Sequence, residues 1–197
     1  ECLTLEERCK YWEKVSNLKL NVFNEDLTIY EQFDKIMARI RPDIIIHYAE
    51  QPSAPYSMKD FQAAKFTLDN NLHTTLNLID LVRRYVPECH IIKLGTMGEY
   101  GTPDIDIEEG WINIKHNNRE HKFMYPRQGA SLYHTSKIMD TDLLWFYTRT
   151  WDIRVTDLMQ GPVYGFMTRE MENDPNLYTS FFYDGIFGTV LNRFLIQ

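Results

Sequence analysis

The sequence predicts an α/β fold, a doubly wound parallel sheet flanked by helices, and three observations carry that expectation. Ile44-Ile45-Ile46-His47-Tyr48 is a short, continuous apolar run rich in β-branching, the pattern of a strand buried in a parallel sheet. Two more strand-like runs, His90 to Gly95 and Ile153 to Leu158, follow it. The stretches between them carry helical apolar spacing, and their lengths suit right-handed crossovers.

The elements follow in order. Thr4-Leu5-Glu6-Glu7 has the form of a capping box, so a helix is expected to about Ser16. Leu18 to Phe23 alternates as a strand, which Asn24-Glu25-Asp26 ends. Ile29 to Ile40 has helical spacing and stops before Pro42. After the Ile44 strand, a Pro- and Ser-bearing loop from Glu50 to Ser57 leads into a long helix, about Phe61 to Tyr85. Beyond the His90 strand, Trp111-Ile112-Asn113-Ile114 and Lys122-Phe123-Met124-Tyr125 flank His116-Asn117-Asn118-Arg119. Asn-Asn tolerates positive φ, so this reads as a hairpin, set in an insertion over 104–130. A helix from Ser131 to about Thr150 and the Ile153 strand, closed by Gln160-Gly161-Pro162, complete the pattern. The chain is read as holding no Gly-x-x-Gly-x-x-Gly or Gly-x-Gly-x-x-Gly turn anywhere, so the strand and loop that normally cradle a pyrophosphate are expected upstream of Glu1. The chain opens without methionine and closes at Gln197 inside the apolar-periodic stretch Ile186 to Ile196; both ends read as those of a piece of a longer chain.

The chain has 197 residues, 44% hydrophobic and 25% charged, enough for one domain with a sizeable core. A net charge of -7 disfavours nonspecific binding to nucleic acid or an anionic membrane. No apolar run is long enough to span a bilayer, and the start does not look like a signal peptide. Cys2, Cys9 and Cys89 lack metal-ligand spacing, and an odd number of cysteines is most simply read as a reducing compartment. His47, His73, His90, His116 and His121 form no convincing ligand set, so no metal is predicted.

In a doubly wound sheet, ligands bind at the carboxyl ends of the strands. Asp26 follows the first strand, Tyr48-Ala49-Glu50-Gln51 the second, Thr96 the third and Gln160 the fourth. Asn70-Asn71 lies early in the long helix, and Tyr133-His134-Thr135-Ser136-Lys137 opens the next. Taken singly, each is more often a cap, a core amide or a strand end. A tyrosine and lysine four apart share one helix face, and the ammonium is expected to lower the phenol's pKa and make Tyr133 a usable acid or base. Tyr-x-x-x-Lys alone is a weak signal; its placement with the other groups at one sheet edge strengthens it.

With Thr96 and Asn70-Asn71, this order resembles the extended short-chain dehydrogenase/reductase superfamily of nucleotide-sugar enzymes, which has a Rossmann-like NAD-binding fold. Within it, Lys93-Leu94-Gly95-Thr96-Met97-Gly98-Glu99-Tyr100-Gly101-Thr102-Pro103 and Ile105-Asp106-Ile107-Glu108-Glu109-Gly110 are similar to the UDP-sulfoquinovose synthase family. So are Glu50-Gln51, Ser53-Ala54-Pro55-Tyr56-Ser57-Met58, Gln160-Gly161-Pro162-Val163-Tyr164-Gly165, Phe187-Gly188-Thr189 and Leu191-Asn192-Arg193-Phe194. The resemblance implies NAD as cofactor and UDP-glucose and sulfite as substrates. The C4 hydride of the glucose passes to NAD⁺, the ketone acidifies C5, water leaves across C5 and C6, sulfite adds at C6, and the hydride returns to C4. It implies that Tyr133 takes the O4 proton, Lys137 tunes it and bonds the nicotinamide ribose, and Thr96 bonds the sugar near O4. Asp26 and Leu27 would flank the adenine, and Asn70 would line the cofactor site. Tyr48, Glu50 and Gln51 would pack cofactor and sugar, with Gln160 and Val163 on the substrate side. Segment 161–197 would begin the substrate-binding portion, the rest of which is absent. A homodimer through the two long helices is expected, and a cytoplasmic location, or the plastid stroma in a photosynthetic eukaryote.

Thr96-Met97-Gly98 replaces the Thr-Asp-Glu of ordinary 4,6-dehydratases, so that activity is disfavoured, and Glu99 and His134 are the candidates for proton work at C5 and C6. The hairpin is expected to cover the site, with Arg119, Lys122 and Arg127 near it to steer anions. Two positions depart from the family. Pro52 stands where an arginine is expected to reach the substrate, and proline offers neither charge nor donor. Leu72-His73-Thr74-Thr75 replaces Val-x-Gly-Thr, and the larger His73 implies altered packing. An epimerase or dehydratase for another nucleotide sugar, and a noncatalytic nucleotide-binding fragment, are the alternatives.

Overall fold

A computed structural model describes residues 3–108, 110–165 and 167–196. Glu1, Cys2, Glu109, Phe166 and Gln197 therefore lie outside the described residues. The chain forms two compact units, Glu1–Asp26 with Pro162–Gln197, and Leu27–Gly161.

In the first unit, helix α1 (Leu5–Ser16) starts on the expected capping box: Thr4 Oγ1 accepts from Glu7 N, and the Glu7 carboxylate accepts from Thr4 N at 2.9 Å. The expected strand Leu18 to Phe23 does not form. Its alternation is right, but a strand exists only through a ladder, and no described strand pairs with it. Leu18 and Leu20 accordingly stay more than half exposed, at 63% and 51%.

The second unit holds the sheet. Helix α2 (Tyr30–Ile40) precedes strand β1 (Ile44–His47). The Pro- and Ser-bearing stretch expected as loop contains a helical turn, α3 (Ala54–Ser57), because Ser53 Oγ caps Tyr56 N and Pro55 sits in the first turn, where its missing N–H costs nothing. Helix α4 (Phe61–Tyr85) is capped by Asp60. Strand β2 (His90–Thr96) runs into a 3₁₀ turn, Met97–Tyr100. Strands β3 (Trp111–His116) and β4 (Arg119–Met124) form the expected hairpin, with Asn117 and Asn118 at φ 48° and 60°. Helix α5 (Leu132–Trp151) and strand β5 (Arg154–Gln160) complete the unit. In the first unit the chain then makes α6 (Arg169–Asn173) and α7 (Val190–Phe194), so only part of the periodic stretch Ile186 to Ile196 is helical.

The three strands pair in the order β1-β2-β5, all parallel. One sheet face carries the core: Met37 of α2, Leu78 and Val82 of α4, and Leu144 of α5 close on Ile91 of β2. Ile44 and Ile46 of β1 and Leu158 of β5 are exposed instead. The hairpin leans on α5 through an edge contact between Trp111 and Trp145, ring centroids 4.7 Å apart. At about 1.5 Å per residue, Trp145 lies roughly 18 Å along the helix from Tyr133.

Candidate active site

Register brings the expected strand-end groups together: Thr96 at the end of β2 lies beside Gln160 at the end of β5. Helix α5 begins at the same sheet edge. Ser131 caps it, accepting from His134 N at 3.2 Å, and Ser131 Oγ lies 3.0 Å from His134 Nδ1. Tyr133 N donates to Ser57 Oγ at 3.0 Å, tying α5 to the turn after β1. The amide that binds these pieces is Asn71. Fully buried, it accepts from Gln51 N at 2.8 Å and donates to Ser136 Oγ at 2.9 Å. Asn70, the expected site residue, is half-buried and donates to Asn71 Oδ1 at 3.1 Å. Helix phase carries the missed signal: Asn71 shares a face with buried Thr67, Thr74, Thr75 and Leu78. His73 lies on the outer side and is exposed, so its size needs no change in packing.

Lys137, one turn beyond Tyr133, is nearly buried, and its Nζ is paired with Glu50 Oε2. Glu50 Oε1 lies 3.4 Å from His47 Nε2 and has no hydrogen bond. His47 is buried at the end of β1, 3.1 Å from Thr75 Oγ1. Burial, and then the charges of Lys137 and Lys93, hold this imidazole down at about 3. The lysine was expected to lower the Tyr133 phenol. The phenol is instead pushed up to about 12, by burial first and then by Glu50, Glu99 and Asp140. Burial is the main reason, and Glu50 adds to it by engaging the ammonium that was to have favoured the phenolate. Asp140, on α5, is fully buried with neither oxygen hydrogen-bonded. Burial, then Glu50, push its carboxyl up to about 8.

Beneath this lies a second buried cluster. Lys93 on β2 is fully buried, 3.3 Å from Glu99 Oε1 and 3.4 Å from Asp157 Oδ2. Arg127 closes it from the hairpin side, Nη1 to Glu99 Oε2 at 3.1 Å. Burial disfavours the charged form of Lys93, but Asp157, Glu99, Asp140 and Glu50 together raise its pKa above the ordinary lysine value. Glu99 is thus sealed among cations, its carboxyl raised by burial against the pull of Lys93 and Arg127. His134 is half-buried beside the Tyr133 ring at 5.1 Å, and burial favours its neutral form.

Gly95, Gly98 and Gly101 have the spacing of a phosphate loop, which the sequence reading overlooked. They are not a cradle. A Cβ at Gly95 would meet Asp157 Oδ1 at 2.3 Å, at Gly98 the His134 ring at 2.3 Å, and at Gly101 the Gln128 carbonyl at 2.4 Å. Each faces protein where a cradle would face a ligand.

The other expected residues fall as follows. Gln51 is buried and donates to Thr67 Oγ1 at 3.1 Å, while Tyr48 and Pro52 are exposed. Leu27 packs against the core, its carbonyl accepting from Asn77 at 2.9 Å. Asp26 and Val163 belong to the first unit. The hairpin's ring contact lies at Trp145, distant from Tyr133. Arg127 reaches Glu99, and Lys122 stacks on Trp111.

The polar groups at the sheet edge suit ribose hydroxyls: an ammonium, a phenol, and a buried carboxylate with one oxygen that lacks a hydrogen bond. The sequence matches the NAD dependent epimerase/dehydratase family over residues 2–183. It is 43% identical to the chloroplastic UDP-sulfoquinovose synthase of Spinacia oleracea, over 98% of this chain and 40% of that protein. It is 42% identical to UDP-sulfoquinovose synthase of Sulfolobus acidocaldarius, over 98% of this chain and 49% of that protein. The chain thus spans less than half the length of either relative. In fold it is similar to Thermus thermophilus UDP-glucose 4-epimerase in complex with NAD, with TM-score 0.62 at 20% identity, over 83% of this chain and 53% of that one. Pal from Bacillus thuringiensis gives TM-score 0.63 at 18% identity, over 88% and 46%. These likenesses bear out the Rossmann-like parallel sheet. The chain belongs to the NAD dependent epimerase/dehydratase family, for which NAD is the cofactor.

Proposed function

We propose that this chain carries the catalytic core of a nucleotide-sugar enzyme of the UDP-sulfoquinovose synthase type, making UDP-sulfoquinovose from UDP-glucose and sulfite. The observation that carries the reading is the Tyr133–Lys137 pair at the start of α5, at the same sheet edge as Thr96 and Gln160. The two relatives named for this activity support it. Bound NAD⁺ supplies a hydride acceptor for C4 and later returns the hydride. Tyr133 takes the O4 proton during oxidation. Its phenol becomes competent when Lys137 turns from Glu50 toward it and the nicotinamide ribose, because the nearby ammonium favours the phenolate. Thr96 orients the sugar at O4.

The step at C5 and C6 falls to His134. Beside Tyr133 and favoured in its neutral form by burial, it has Nδ1 3.0 Å from Ser131 Oγ and Nε2 on the side of Gly98. Glu99, sealed against Lys93 and Arg127, serves as a fixed charge beneath the site. Asp26 on the adenine and Val163 on the sugar belong to this reading, as do a homodimer and a cytoplasmic or plastid-stromal location. Among the described residues, no helix is long and apolar enough to cross a membrane.

The test is a calorimetric titration of the 197-residue chain with NAD⁺ and then UDP-glucose, followed by sulfite with mass detection of UDP-sulfoquinovose. Saturable NAD⁺ binding that tightens the UDP-glucose step, with product, is the expected result. A cooperative melt with neither ligand bound would assign the activity to a longer protein.

A further inference from the structure

We propose that Lys93 is a positioning residue for Lys137 and, through it, for Tyr133. The inference rests on the reading above that these two residues carry the site's chemistry. Lys93 Nζ donates to the backbone carbonyl of Lys137 at 3.1 Å and to Thr141 Oγ1 at 2.7 Å. That carbonyl belongs to the α5 ladder, so the ammonium adds a donor from the sheet to the very peptide that roots the Lys137 side chain. Thr141 Oγ1 in turn donates to Asp157 Oδ2 at 2.6 Å and sits 3.0 Å from the same carbonyl. Strand and helix are therefore locked at one residue, by bonds with direction, where apolar packing alone would let the helix turn.

Stability does not explain a lysine here. Ile91, Lys93 and Gly95 share one face of β2, and Ile91 is fully buried. An aliphatic side chain would continue that face, and replacing a buried ion cluster by apolar residues is often neutral or stabilising. The neighbourhood is shaped around the charge. Asp157 Oδ1 occupies the space of a Cβ at Gly95, so a side chain has been given up to admit the carboxylate that holds Lys93.

The charge-balanced variant Lys93→Met/Asp157→Asn removes the lock and leaves the Arg127–Glu99 pair intact. Leu144→Ala, in the core of the same helix, is the control for general loosening. Both are titrated with NAD⁺ after thermal melting. The expected result is a cooperative melt for each, NAD⁺ affinity weakened about tenfold in the double variant, a loss of one charge-assisted contact, and little change in Leu144→Ala. Unchanged affinity in the double variant overturns the proposal, as does an equal loss in the control. Should the unaltered chain not bind NAD⁺, the functional reading fails for this chain, and the positioning claim is read by NMR. The Lys137 ε-carbon signal, assigned by Lys137→Arg, moves in the double variant and not in Leu144→Ala; a signal that stays overturns the proposal. If the double variant melts without cooperativity, Lys93→Arg, which keeps the charge and displaces its donors, is read the same way.

Discussion

Asp140→Asn tests the electrostatics of the interior by changing one atom type. Asp140 is fully buried, neither oxygen is hydrogen-bonded, and its carboxyl is raised from 3.8 to about 8. Burial is the largest cause and Glu50 the next, with Lys93 and Lys137 acting the other way. Between those two values the unfolded carboxyl is ionised while the folded one keeps its proton. The folded state binds more protons, so its stability falls as pH rises, by up to about 1.4 kcal/mol per pH unit for one group. Asparagine does not titrate. From pH 5.5 to 7.5 the variant should therefore gain roughly 2–3 kcal/mol on the unaltered chain, and the gain should level off above the folded pKa. Urea unfolding of both proteins at half-unit pH steps reads the difference directly. A difference that stays flat with pH would refute the reasoning, since Asp140 would then ionise as an ordinary carboxylate against Lys93 and Lys137.

His47 sets the opposite limb. With the folded imidazole held at about 3, protons bind the unfolded chain alone as pH falls below about 6.5. His47→Gln should flatten the acid side of the stability curve, and should abolish proton uptake on NAD⁺ binding when titrations are compared in two buffers; an acid limb of undiminished slope would clear the imidazole of responsibility. Glu50→Gln frees Lys137 and removes the second cause of the Tyr133 shift to about 12. Because burial is the larger cause, the phenol should titrate about one unit lower. Tyrosinate absorbance, differenced against the same variant carrying Tyr133→Phe, measures it, and an unmoved midpoint would show that Glu50 does not control the phenol.

The fold was legible where local signals and tertiary need agree. The capping box at Thr4 and Asn117-Asn118 each state a conformation in a few residues and form as read; the apolar run of β1 forms its parallel strand, but Ile44 and Ile46 are exposed where a buried strand was expected. Leu18 to Phe23 has a strand's pattern but failed, because pairing is a property of neighbours. Chemistry was legible by type and less so by partner. Tyr133 and Lys137 announce themselves by spacing, yet nothing local says that Glu50, 87 positions earlier, holds the lysine. The Lys93 cluster is hidden for the same reason: its members lie on β2, the turn after it, the segment between β4 and α5, α5 and β5, and only the sheet register sets Lys93 beside Asp157. Asn71 was within reach of the sequence through the phase of α4; attention to Asn70 missed it by one residue.

The buried charges also say what a ligand must do here. Among the described residues, Lys93, Arg127 and Lys137 face Glu50, Glu99 and Asp157 in ion pairs, while Asp140 keeps its proton. The interior balances only while Lys137 rests on Glu50. A ligand that draws Lys137 toward a ribose strands a buried carboxylate, a cost of several kcal/mol if nothing replaces the cation. The replacement is already in place. His47 Nε2 lies 3.4 Å from Glu50, and part of what keeps it neutral is the charge of Lys137 itself. Burial, the larger cause, stays as the lysine leaves, but the lysine's share of the hold relaxes and a bare carboxylate beside the ring works toward the protonated imidazole. The expected outcome is that Glu50 exchanges one cation for another on NAD⁺ binding, with a proton taken up by His47 that the two-buffer titration counts; no uptake would refute the exchange.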